Sequence, residues 1–221
     1  MESNNTQISY EKGPFLQSHS MTIRIWHWLS FILLALILMT VILNSTLLNP
    51  RNNEGAVLSQ LKDQGITITE RQSFFVAHQF DDKLWDLHKL LGIGIAIMLA
   101  FRIIIEFLLP KAERIKTRIR SALNLFKSGS SDKAEYRHYL IVKYTYLLFY
   151  ILLFYMAITG LSLALENQLG LPRNINHTIK EFHGAGQWVM YTFVIFHIGG
   201  VTLAELDKAK GIVSGMINGN K

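Results

Sequence analysis

Cysteine is absent from the 221 residues. That excludes disulfides, iron–sulfur clusters and thioether attachment of a cofactor, and leaves histidine as the obvious ligand for any metal-bearing group. Charge is scarce too: 17% of residues are Asp, Glu, Lys or Arg against 50% hydrophobic, a balance that excludes an ordinary water-soluble domain and points to an integral membrane protein. The net charge of +6 sits in loops beside apolar runs, so it reads as membrane topology and not as a nucleic-acid footprint. The first 20 residues lack the basic region, short apolar core and small-residue cleavage site of a removed signal peptide, and read as a tail. No internal repeat or low-complexity tract is present.

What the chain does have is four long apolar runs, and they predict four membrane spans at about 22–44, 86–109, 141–165 and 183–204. Ser20 or Thr22 can cap the first, Pro110 ends the second, and the third closes near the small pair Thr159 and Gly160. Residues 44–83 are a polar insert, with Pro50 and Gly55 as breakers and short helices expected around 56–64 and after Thr69. Residues 111–143 carry nine Lys or Arg against three acids, interrupted by a Ser-Gly-Ser-Ser turn at 128–131. Lys and Arg beside membrane ends stay on the cytoplasmic side. That loop and both termini are therefore expected in the cytoplasm, with the 45–84 insert outside.

Histidine inside a membrane segment is costly, and its default reading is functional. His183 and His197 lie fourteen positions apart on one helix, about 21 Å along the axis and about 40° around it, so one face presents an imidazole near each end of the apolar slab. The other spans supply partners by depth. His27, in the Arg24-Ile25-Trp26-His27-Trp28 opening of the first span, lies on the side of His197; His88, in Leu87-His88-Lys89, lies on the side of His183. Nominal depth differs by about 8 Å between His27 and His197 when each is counted from the charged residue at its helix end, a gap that helix tilt absorbs.

Two imidazoles on facing helices at each level is the arrangement that axial ligation of a b-type haem requires. A zinc or copper site wants a third or fourth ligand, and no thiol or carboxylate lies at the right depth to complete one. Gly92, Gly184, Gly186, Gly199 and Gly200 flank these histidines and let a flat macrocycle come close to the backbone, while Arg24, Lys89 and Arg102 are candidates to neutralise its propionates. His19, His78, His138 and His177 read as solvated or structural loop residues, with His78 and His19 the alternates for His88 and His27. Trp26 and Trp28 read as interfacial belt, and Tyr144, Tyr146, Tyr150 and Tyr155 as belt and packing.

The order of these motifs resembles the bacterial cytochrome b561 family, which includes the b-type cytochrome subunits of nickel–iron hydrogenases and formate dehydrogenases. The resemblance covers roughly residues 20–205: the His27 opening, Leu87 to Gly92 followed by a span with Arg102, a third span ending in Thr159-Gly160, and His183-Gly184-Ala185-Gly186 with His197 beyond. It implies an all-α, integral membrane four-helix bundle over 21–206, between cytoplasmic tails at 1–20 and 207–221. It implies two haem b groups, one on His27 and His197 and one on His88 and His183, and exchange of electrons with quinone.

The expected function is a multi-pass cytochrome of the inner, cytoplasmic membrane that carries electrons between the quinone pool and a periplasmic redox protein as the membrane subunit of a respiratory complex. The quinone is expected beside the cytoplasmic haem near Arg24, His27 and Arg102. The alternative is a stand-alone superoxide:quinone oxidoreductase, against which the slightly acidic insert argues because it would not steer an anion. A non-redox, histidine-lined transporter or scaffold is the third reading.

Overall fold

The computed structural model describes residues 21–109, 111, 114–127, 133–206 and 211–219, and at 118, 125, 133–136 and 138 the backbone alone. Among the described residues every regular element is a helix. The order is α1 Met21–Ser45, α2 Pro50–Asp63, α3 Glu70–Leu108, α4 Ile115–Lys127, α5 Lys133–Ala164, α6 Glu166–Leu169, α7 Arg173–Leu206 and α8 Ile212–Asn218. Four of them, α1, α3, α5 and α7, are long and apolar enough to cross a membrane. The fold class is all-α with four spanning helices, as the sequence predicts.

Membrane helices gain little from hiding apolar side chains from one another, because lipid is as apolar as leucine. Phe31 and Leu36 on α1, Ile97 and Phe101 on α3, Ile151 on α5 and Phe196 and Leu203 on α7 accordingly stay exposed. In water such faces would drive aggregation; in a bilayer they are the solvated surface.

Three spanning helices, α3, α5 and α7, start well before their predicted limits, α5 at Lys133 instead of 141. α3 is 39 residues, about 58 Å, nearly twice the roughly 30 Å apolar core of a bilayer. The helix expected after Thr69 is not a separate short element but the first part of α3, because no proline or glycine interrupts the chain between Thr69 and Gly92. Its start is a capping box: Thr69 N donates to Gln72 Oε1 (2.8 Å) and Gln72 N to Thr69 Oγ1 (3.3 Å). Likewise α7 begins at Arg173, inside what reads as a loop. His78 and His177 are therefore helical residues, not loop residues. Ser20, His19 and the 128–131 turn lie outside the described residues, and so does the side chain of His138.

Pro50 starts a helix instead of breaking one. Asn49 is the N-cap of α2, its side chain accepting from Arg51 N at 3.0 Å, and proline follows at the first helical position, where its missing N–H costs nothing. The other end closes on Gly65, at φ 75°, with Gly65 N bonded to Lys62 O and Ile66 N to Leu61 O, both 2.9 Å, a Schellman closure.

The chain divides into two compact units. The first comprises Met1–His27, Leu99–Met156 and Lys180–Lys221; the second comprises Trp28–Met98 and Ala157–Ile179. In the first, Leu99, Ala122, Leu140, Leu153 and Met190 form the buried apolar set. α5 and α7 approach closely there: a Cβ on Gly186 would stand 2.5 Å from Met156 Sδ and 2.8 Å from Tyr155 Cε1. Tyr155 donates its hydroxyl to Phe182 O across the same contact, 2.6 Å. α8 is tied at both ends, since Glu205 accepts from Gly211 N and Val213 N while Arg24 Nη1 donates to Ile217 O.

The second unit is different inside. Its buried residues include Ala77 and Ile95 but also Thr40, Asn44, Ser73 and Asp81. Ser73 donates its hydroxyl to Glu54 O and so fastens α2 to α3, while Leu48, Val57, Ala77 and Phe80 gather around an apolar hollow between the same helices.

Candidate functional site

In the first unit α1 and α7 bring the rings of His27 and His197 together. Their ring centroids lie 6.4 Å apart with the planes tilted by 56°. A metal–nitrogen bond is about 2 Å, so two imidazoles on opposite sides of one iron have centroids about 6 Å apart. The observed spacing fits that span, and the 8 Å mismatch in nominal depth does not keep the two rings apart.

Packing orients His197. Phe193, one turn before it on α7, lies parallel to its ring at 5.9 Å and 8°, and Phe149 of α5 stacks on Phe193 at 4.8 Å. A rigid aromatic stack of this kind is worth about 0.5–1.5 kcal/mol per pair beyond area burial. Beside His27, Trp26 meets Tyr150 at 5.8 Å, and the Arg102 guanidinium lies over the Tyr150 ring, 5.6 Å from its centroid. Trp26 and Tyr150 thus pack inside the unit, whatever belt role they share.

The expected cationic residues have protein partners. Arg102 donates to Glu106 Oε2 at 3.0 Å, and Glu106 Oε1 in turn accepts from Ile115 N, the first residue of α4, at 2.6 Å. Arg24 is drawn to the C-terminal end of α8, where cations are favoured, and its guanidinium fills the space beside Gly219. Lys89 pairs with Asp86 at 3.1 Å on an open surface. None of the three side chains is thereby removed from its neighbourhood, and Arg102 stays within the cluster that contains Tyr150.

Of the flanking glycines, Gly184, Gly199 and Gly200 have nothing within 4 Å of where a Cβ would stand. Gly92 has only an ordinary contact with Ile37, and Gly186 serves the close approach of α5 instead of leaving a face open.

His88 belongs to the second unit, where hydrogen bonds hold it. Its Nδ1 lies 2.8 Å from Thr40 Oγ1, and Trp85 meets its ring edge-on at 5.3 Å. One turn away on α1, Asn44 continues the strip: the orientation of its amide that satisfies both neighbours has the nitrogen donating to Asp81 Oδ1 and the oxygen accepting from Trp85 Nε1, both at 3.3 Å. Farther along, Asp81 Oδ2 sits 3.0 Å from His78 Nδ1, and Asp82 is 3.6 Å from Nε2, bracketing that ring.

Thr40, Asn44, Asp81, Glu106 and Phe193 were not singled out from the sequence. For the first two the signal was present: two polar residues four apart in a charge-free span share one helix face. Glu106 follows Arg102 by four residues, an ordinary helical ion-pair spacing, but its capping of α4 depends on where α4 starts.

The sequence pattern of the prokaryotic cytochrome b561 family matches residues 18–219, nearly the whole chain. The chain belongs to that family. Its four long apolar helices, in a family that binds haem b, make it a multi-pass membrane protein suited to electron transfer across a membrane. No curated protein and no solved structure matches the chain.

Proposed function

We propose that the protein carries two haem b groups and moves electrons across the inner membrane between the quinone pool and a periplasmic redox protein, as the membrane subunit of a respiratory complex. The observation that carries the reading is the pair of imidazoles on α1 and α7, spaced for one iron, in a chain of this family. His27 and His197 ligate the first haem. His88 ligates the second, and the fourteen-residue spacing on α7 assigns His183 as its other ligand.

Haem iron supplies one-electron chemistry, and the protein supplies ligation, spacing and a low-dielectric path. Phe193 and Phe149 fix the ring plane of His197, so ligation needs no reordering of that side chain. Arg24, Arg102 and Lys89 sit near the histidines to balance propionate charge. The half-buried Arg102–Glu106 pair beside Tyr150 supports a quinone near His27: a guanidinium donor favours a reduced, partly anionic quinone oxygen, and the adjacent carboxylate can exchange its proton. The nine-to-three excess of basic residues over 111–143 supports a cytoplasmic side for that loop and both termini, with the insert built on α2 outside as the docking surface for a partner.

The test uses holoprotein in liposomes with ferricyanide sealed inside and a quinol added outside. Each quinol gives up two electrons and two protons, and two ferricyanide ions are reduced. The proposal expects internal ferricyanide to bleach, with the rate falling at least about 100-fold in His197→Ala. A folded protein with two haems that leaves the ferricyanide oxidised contradicts it. Unchanged quinol turnover in Arg102→Ala of normal haem content removes the quinone from that cluster.

A further inference from the structure

Thr40 is 3% exposed near the C-terminal end of α1, and its hydroxyl has two neighbours: Ile37 O at 2.6 Å and His88 Nδ1 at 2.8 Å. A hydroxyl has one proton to give. The carbonyl can only accept, so the proton goes to Ile37 O, the usual back-bond of a helical threonine. Toward His88 the oxygen then offers a lone pair alone, and Nδ1 must be the donor. A neutral imidazole with its proton on Nδ1 carries its lone pair on Nε2, the opposite corner of the ring.

From this we infer that Thr40 is a positioning residue that fixes the tautomer and ring plane of His88 and thereby lowers the reduction potential of the haem it ligates. The inference rests on the reading of His88 as a haem ligand. An N–H donated to a buried oxygen makes the other nitrogen more basic, and a more basic axial ligand favours ferric over ferrous iron. Trp85 limits rotation of the ring from its edge, at 5.3 Å. Trp85 is itself held by Asn44 when the amide is turned so that its oxygen meets the indole N–H and its nitrogen meets Asp81, and this strip continues to His78.

Thr40→Val keeps the shape and deletes the acceptor, while Thr40→Ser keeps the acceptor and deletes a methyl. Redox titration and low-temperature EPR of haem-loaded protein in detergent read both variants, with haem content from the pyridine haemochrome. In Thr40→Val the inference expects two haems, one of which becomes easier to reduce by about tenfold in its ferrous-to-ferric ratio at fixed potential, about 59 mV. The low-spin EPR line of that haem moves with it, and Thr40→Ser restores both values. Potentials and EPR lines unchanged in Thr40→Val overturn the inference. So does a Thr40→Ser shift as large as that of valine, since packing and not the hydroxyl would then be responsible. His88→Ala separates the two levels of the account: loss of one haem there, together with a silent Thr40→Val, removes only the role of Thr40, whereas two haems retained in His88→Ala removes the ligand assignment itself.

Discussion

His197 and His88 are oriented by different forces. Around His197 the neighbours are Phe193 and Phe149, stacked in parallel, and the nearby charges of Arg102 and Glu106 satisfy each other and the start of α4. Around His88 the neighbours are a hydroxyl, an indole, an amide and a carboxylate, nearly all buried and joined in one strip. Stacking fixes a ring plane but leaves the tautomer open. A hydrogen bond to Nδ1 fixes both. Hydrogen bonds between membrane helices average only about 0.6 kcal/mol, so the strip around His88 contributes less through stability than through orientation.

Breaking the comparison on its charged side should have the largest cost. Arg102→Ala leaves the Glu106 carboxylate, 25% exposed, with only the Ile115 amide, and should destabilise the protein by about 2–3 kcal/mol in a detergent unfolding titration. Glu106→Gln in the same background should recover most of that loss, because a neutral amide needs no counter-charge. Failure of that recovery would mean the arginine acts by packing alone.

On the polar side, Asn44→Leu deprives Asp81 and Trp85 of their amide partners and should cost about 1–2 kcal/mol, read in the same titration. Phe193→Leu, which removes the stack but keeps an apolar filling, should cost about 1 kcal/mol. The described residues give the two no shared hydrogen-bond or ring partner, so the double variant should equal the sum of the singles within about 0.5 kcal/mol. A coupling larger than that would show that the two ring environments are not independent. The smallest effect belongs to Lys89→Ala: its pair with Asp86 is more than half exposed on both sides, and the loss should stay below about 0.5 kcal/mol.

How much of this was legible depended on range. Four spans and the all-α class follow from apolar run length, and α2 and the start of α3 have sequence-visible caps in Asn49-Pro50 and Thr69-x-x-Gln72. At Asn49 the sequence misleads because proline reads as a stop, although at the first helical position it is a start. The extra turns of α3 and α7 were hidden because polarity was equated with loop; a helix that leaves the bilayer changes its composition without changing its backbone. The histidines were visible as costly residues, and helical spacing was enough to match His27 with the level of His197. The neighbours that orient them were not. Phe193 is one apolar residue among many in α7, and Thr40 becomes informative only when α3 places an imidazole nitrogen 2.8 Å from its hydroxyl. Gly186 shows the same limit: its place in the motif suggested room for a macrocycle, while the space is taken by Met156 and Tyr155.

The measurement that bears most directly on the central claim is a haem count, by pyridine haemochrome and reduced-minus-oxidised spectrum, on purified wild type and on His27→Ala and His88→Ala. The account predicts two b haems per chain, falling to one in each variant, with the lost haem differing between the two in potential. A folded, colourless wild-type protein, or variants that keep both haems, would contradict it.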